Sequence, residues 1–135
     1  MRKILYILWV GILLCTASCE PAEIAPQLGS IVFDEITDTS IEFHVDVKGG
    51  SVDDAAFYYG TVKYNVASDK AQKVDATYTR SVIRGEILGL SALTEYYIKV
   101  YGMNELGRGE TEVVKVKTLA RTPAADDNKH PDPQP

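Results

Sequence analysis

His44 alternates with Glu42 and Asp46 along one extended stretch, so the three side chains share a face if that stretch is a strand. Imidazole with carboxylates is an ordinary metal-ligand set. Side chains in a row on a flat polar face do not converge on a point, however, and they are read as a solvated face with no metal. The acid pairs Asp34-Glu35, Asp53-Asp54 and Asp126-Asp127 fare no better. A calcium site needs six to eight oxygens from a shaped loop, and a glycosidase needs two carboxyls across a cleft. Hydrolytic triads fail on inventory: residues 20–135 hold no cysteine, and the only histidines are His44 and His130. The expectation is a protein that is not an enzyme, with no catalytic residues, no cofactor and no metal.

Aromatic side chains offer recognition instead. In the stretch Glu95 to Asn104, Tyr96, Ile98 and Val100 alternate with Tyr97, Lys99, Tyr101 and Met103. If the first set faces inward, the second faces solvent, and Tyr58 or Tyr59 of a neighbouring strand would extend the stripe. Tyrosines on an open sheet face can stack on sugar rings or anchor a protein, combining flat apolar area with a hydroxyl. The candidate binding surface is Tyr97, Tyr101, Lys99 and Tyr59, with Arg108 in the Glu105 to Glu110 hairpin.

The elements that position these residues have a period of two. Ile41, Phe43, Val45 and Val47 alternate with polar residues up to Gly49-Gly50, the pattern of a half-buried strand. Further strands are expected at Leu28 to Ile36, Ala55 to Val62, Ser81 to Leu90, Glu95 to Asn104 and Glu110 to Thr118. Thr61 to Tyr78 holds a less regular edge strand or loop. Gly107-Arg108-Gly109 is read as the turn between the last two strands, its glycines supplying positive φ. All six prolines fall outside residues 27–122, as a continuous sheet requires. No segment has sustained helical periodicity, so the class is all-β, an antiparallel sandwich of about seven strands.

The run Gly89-Leu90-Ser91-Ala92-Leu93-Thr94-Glu95-Tyr96 through Asn104, followed by Gly107 and Gly109, resembles the E-to-F corner and F–G hairpin of a fibronectin type III domain, an immunoglobulin-like β-sandwich. The resemblance covers roughly residues 27–119. It implies that Leu90 plugs the core while the Tyr96 hydroxyl bonds back to nearby backbone in a tyrosine corner, a structural role. Val45 stands where the family usually has a tryptophan, and Ala92 near the usual corner proline. Some members carry an integrin-binding Arg-Gly-Asp in this hairpin; here Gly107-Arg108-Gly109-Glu110 ends in glutamate, and that function is not carried over.

At the other end of the chain, Arg2 and Lys3 precede the apolar run Ile4 to Leu14 and the small residues Ala17 and Ser18, the order of a secretory leader. Those 11 residues would rise only about 16 Å as a helix, too short for a hydrocarbon core of roughly 30 Å. Ala17-Ser18-Cys19 resembles the lipobox of bacterial lipoproteins, which implies that Cys19, rather than Cys15, is the lipidation site and carries more than one acyl chain, palmitate among them. The expected organisation is a leader over residues 1–18, a tether over 19–26, the sandwich over 27–119 and a polar disordered tail over 120–135.

Two of the 14 basic residues are Arg2 and Lys3, so the chain from Cys19 keeps 12 basic and 19 acidic residues, a net charge of −7. That balance argues against nucleic acid, which needs clustered Lys and Arg. The expected partners are a membrane through the lipid anchor, and a glycan or an envelope protein. Compact domains behind a lipobox resemble Bacteroidales proteins, implying an exported envelope lipoprotein of the outer membrane, with the membrane face open. A structural or assembly subunit of a larger envelope complex is the alternative.

Overall fold

The structure, a computed structural model, describes residues 23–121. The expected leader, Cys15, Cys19, His130, Asp126-Asp127 and the tail beyond 121 lie outside the described residues. Two antiparallel sheets pack face to face. The first holds β1 (Gln27–Ile36), β2 (Ile41–Gly49), β6 (Val82–Ile87) and β5 (Thr77–Thr79), in that order. The second runs β4 (Gln72–Asp75), β3 (Asp54–Gly60) and β7 (Glu95–Asn104), with β8 (Gly107–Glu110) and β9 (Val114–Lys117) both paired to the far edge of β7. The antiparallel sandwich expected from the alternation, and its immunoglobulin-like class implied by the resemblance, are the observed fold, with nine strands among the described residues where about seven were expected.

Alternation places the core. Ile41, Phe43 and Val45 of β2 and Ile83 and Ile87 of β6 face Phe57 of β3 and Ile98 and Val100 of β7, and each such buried side chain contributes about 1.5–3 kcal/mol. Phe43 meets Phe57 edge to face, with centroids 4.9 Å apart and planes at 84°, the favoured geometry for two quadrupoles. Phe43 has this room because its ladder partner is Gly85. A Cβ there would collide with both phenylalanine rings.

Four details depart from the sequence reading. First, the expected last strand is two, because Thr111 interrupts it. Its N–H donates to Val100 O at 2.8 Å, while its Oγ1 accepts the Val100 N–H at 3.0 Å. A side-chain oxygen thus replaces a backbone carbonyl and kinks the ladder. Second, Thr61 to Tyr78 contains a five-residue helix, α1 (Lys63–Ala67), besides β4 and β5. One turn gives no readable periodicity; α1 is held by the buried Val66.

Third, the β7–β8 turn is Glu105-Leu106, since Asn104 pairs with Gly107. Gly107 does have positive φ, but Gly109 lies inside β8, where a Cβ would collide with the Pro26 carbonyl. Fourth, residues 24–26 do not belong to a free tether: Asn104 Nδ2 donates to Ile24 O at 2.8 Å and to Ser51 O at 3.1 Å, and Pro26 is buried. The lead-in to β1 is clamped between the β2–β3 loop and the β7–β8 hairpin.

Candidate functional site

Tyr96 and Leu90 form one corner of the sandwich. The Tyr96 ring is buried and its Oη accepts the Ser91 N–H at 2.9 Å. That bond satisfies backbone where the β6–β7 loop enters the core. Beside it the Leu93 N–H donates to Leu119 O at 3.0 Å, and Leu93 holds φ 51° while its side chain is 61% exposed.

On the outer face of the second sheet, the expected stripe is not open. Tyr97 is half-buried, but Lys99 and Tyr101 retain only 4% and 3% exposure. The cause is the segment between β3 and β4, which folds back over β7. Lys99 Nζ donates to Ala67 O at 2.9 Å and to Asp69 Oδ1 at 2.7 Å. Arg108 Nη1 lies 3.0 Å from Asp69 Oδ2, and its Nη2 lies 2.9 Å from Glu110 Oε2. The Arg108 guanidinium sits on the Tyr101 ring, and the Tyr58 ring stacks on Tyr101 at 5.9 Å. Burial works to raise the Asp69 carboxyl, but the hydrogen bonds from Lys99 and Arg108 and their charges outweigh it and hold the group below its ordinary value of 3.8. Arg108 is lowered by burial and raised by Asp69 and Glu110, for a net upward shift.

This cluster consumes its own charges. Two cations face two carboxylates over paired aromatic rings; Lys99 is buried, while Asp69, Arg108 and Glu110 stay partly exposed at 33%, 29% and 43%. Asp69 and Glu110 were missed by sequence reading. The available signal was Lys99 itself, a lysine at mid-strand between buried neighbours, which needs a counter-charge.

Tyr59 points the other way from Tyr58, toward the end of the sandwich, with its ring 6.4 Å from Tyr96. Together they line an open groove of about 340 Å³ with Gly60, Val62, Asn65 and Gln72. The carboxamides of Asn65 and Gln72 can each donate and accept. On the outer face of the first sheet, His44 Nδ1 lies 2.8 Å from Asp34 Oδ1, so the histidine is paired with a neighbouring strand rather than with Glu42 and Asp46. Among the described residues no group of three or more His, Cys, Asp or Glu could hold a metal ion. Nor is any helix there long and apolar enough to cross a membrane.

Solved structures with the same two-sheet arrangement include the fn3 domain of the human collagen alpha-1(XX) chain (TM-score 0.56, 16% identity), covering 82% of this chain and 98% of that one. The chicken CNTN1 FN1–FN3 domains align with TM-score 0.53 and 20% identity over 73% of this chain, which spans 31% of that chain. The fold is that of a fibronectin type III domain. A third structure with the likeness is the sensor domain of the anti-sigma factor RsgI4 in Pseudobacteroides cellulosolvens (TM-score 0.50, 20% identity), covering 77% of this chain and 100% of that one. No family model matches the sequence, and no curated protein matches it. In fibronectin type III terms, β3 and β7 are strands C and F, β8 and β9 share the role of strand G, and the groove lies at the end of the domain that carries the E-to-F corner.

Proposed function

We propose that this chain is a lipid-anchored envelope protein whose fibronectin type III-like domain is a non-catalytic binding module for a glycan or an envelope protein. The groove at Tyr59 carries the reading. It joins two tyrosine rings to two carboxamides, the mix of flat apolar area and orienting polar groups found in ligand sites, and its volume lies at the low end of the roughly 300–1,000 Å³ usual for them. The ionic cluster supports the non-catalytic part, because its charged side chains are spent on one another. The likeness to a sensor domain is in keeping with recognition rather than turnover. Cys19 is the lipid attachment point.

The test is binding of the purified domain to glycan arrays and to envelope extract, compared with the double substitution Asn65→Ala and Gln72→Ala. Both side chains lie at the rim, so the fold is retained. Binding by the wild type that the double variant loses supports the groove; equal binding by both removes it.

A structural or assembly role has its own observation. Leu88, Leu93 and Leu119 are 65%, 61% and 55% exposed at the same end as the groove. Exposed apolar clusters of this kind mark protein contacts. Co-purification of a membrane complex that is lost on Leu93→Ser with Leu119→Ser, while glycan arrays stay blank, would favour it.

A further inference from the structure

We propose that the domain stands on its membrane with the β7–β8 hairpin against the lipid surface and the Tyr59 groove pointing away. This rests on the reading of Cys19 as the lipid-bearing residue. The clamp on residues 24–26 carries it: Asn104 holds Ile24 O, and glycines at 50 and 109 let the lead-in backbone pass where any Cβ would collide. The clamp therefore fixes the chain from Ile24 onward. The five residues from Cys19 to Glu23 reach at most about 18 Å fully extended. Strand β7 alone, at 10 residues, is roughly 30 Å long, so the groove end cannot be drawn down to the bilayer while the domain stands upright.

The end beside the clamp is suited to lipid. Leu106 at the hairpin tip is 57% exposed, Ile24 40% and Met103 38%, three apolar side chains on the end from which the tether leaves. The long sides are not suited. The outer face of the first sheet presents Glu42, Asp46, Arg84 and Glu86, and on the second the end of α1 and the ion pairs of Asp69 after it lie over Lys99 and Arg108. Acidic Glu23, Asp53 and Glu105 surround the hairpin end, so zwitterionic headgroups are preferred to anionic ones.

The chain's single tryptophan is Trp9, in the leader, so a chain processed at Cys19 has none and a new one is a clean probe. Full-length lipidated protein carrying Leu106→Trp or Leu88→Trp is reconstituted in phosphatidylcholine vesicles with acyl chains brominated near the headgroup. Leu106→Trp is expected to lose most of its emission relative to unbrominated vesicles, Leu88→Trp none, and phosphatidylglycerol to weaken the effect. If the wild-type chain floats with the vesicles and the two probes quench alike, the anchor stands and the orientation is overturned. If the wild type fails to float, or Cys19→Ala floats equally, the anchor reading falls and takes the orientation with it.

Discussion

The guanidinium carbon of Arg108 lies 4.0 Å from the centroid of the Tyr101 ring, and the same side chain reaches Asp69 and Glu110. One residue of the hairpin thus seals the outer sheet face and ties strand G to the segment after α1. Arg108→Ala is expected to cost about 0.5–2 kcal/mol, from a cation–π contact of ~0.5–1 kcal/mol and partly exposed ion pairs of ~0–1 kcal/mol. Arg108→Lys keeps the charge but not the planar fork and should recover less than half. Urea unfolding at low and high salt separates the parts, because only the ion pairs are screened.

Asp69 makes acid stability testable. Its folded value is depressed below 3.8, so its contribution is fully present above that pH and is lost as pH falls through the lower folded value. Asp69→Asn should be less stable than wild type near neutral pH, and the gap should close on acidification below 3.8. Urea midpoints measured across that range check it; a gap that stays constant with pH would show that the carboxylate charge is not what holds Lys99.

Much of this architecture is legible in the residues, because burial of one face imposes alternation directly. Ile41, Phe43 and Val45 mark the core side of β2; the phenol of Tyr96 reaching back to backbone is what the family resemblance implies, and its Oη accepts the Ser91 N–H. Alternation says which side chains share a face and nothing about what covers it. Tyr101 and Lys99 do lie opposite Val100, but Lys99 is covered by Ala67 and Asp69, about thirty residues away in sequence, and Tyr101 by the Arg108 guanidinium and the Tyr58 ring. Gly109 is equally opaque: its reason is a carbonyl at Pro26, a contact that no local pattern encodes. The groove was missed for the same cause, since Asn65 and Gln72 meet Tyr59 only after α1 turns the chain back.

Tyr96→Phe removes one atom and one hydrogen bond while leaving the buried ring. The expected loss is about 1 kcal/mol, seen as a lower urea midpoint with an unchanged slope, since the surface exposed on unfolding does not alter. An unchanged midpoint would mean that water replaces the phenol at Ser91 without cost.

Gly85→Ala places a methyl group against Phe43 and Phe57, both essentially inaccessible. The edge-to-face pair cannot move far in a close-packed interior. Overpacking of this kind costs about 1–3 kcal/mol, and the near-ultraviolet signal of the aromatic core should change with it. Gly85→Ala combined with Phe43→Leu should recover part of the loss, which distinguishes a steric cause from a backbone one.

The β5–β6 hairpin closes with two residues, since Thr79 pairs with Val82, and Arg80 and Ser81 hold φ 54° and 65°. Positive φ at both central positions is the signature of a type I′ turn, whose strand-matching twist favours Asn-Gly. Arg-Ser therefore carries a left-handed penalty of roughly 1–2 kcal/mol per residue, partly offset in any glycine variant by the entropy of a looser unfolded chain. Ser81→Gly should gain about 0.5–1 kcal/mol and Ser81→Val should lose at least as much. The Ser81 carbonyl accepts the Val47 N–H at 2.8 Å, tying the turn to β2, so slower hydrogen exchange at Val47 in Ser81→Gly would confirm that the gain arises in the native turn. A Ser81→Gly protein no more stable than wild type would show that the unfolded-state entropy cancels the relieved strain.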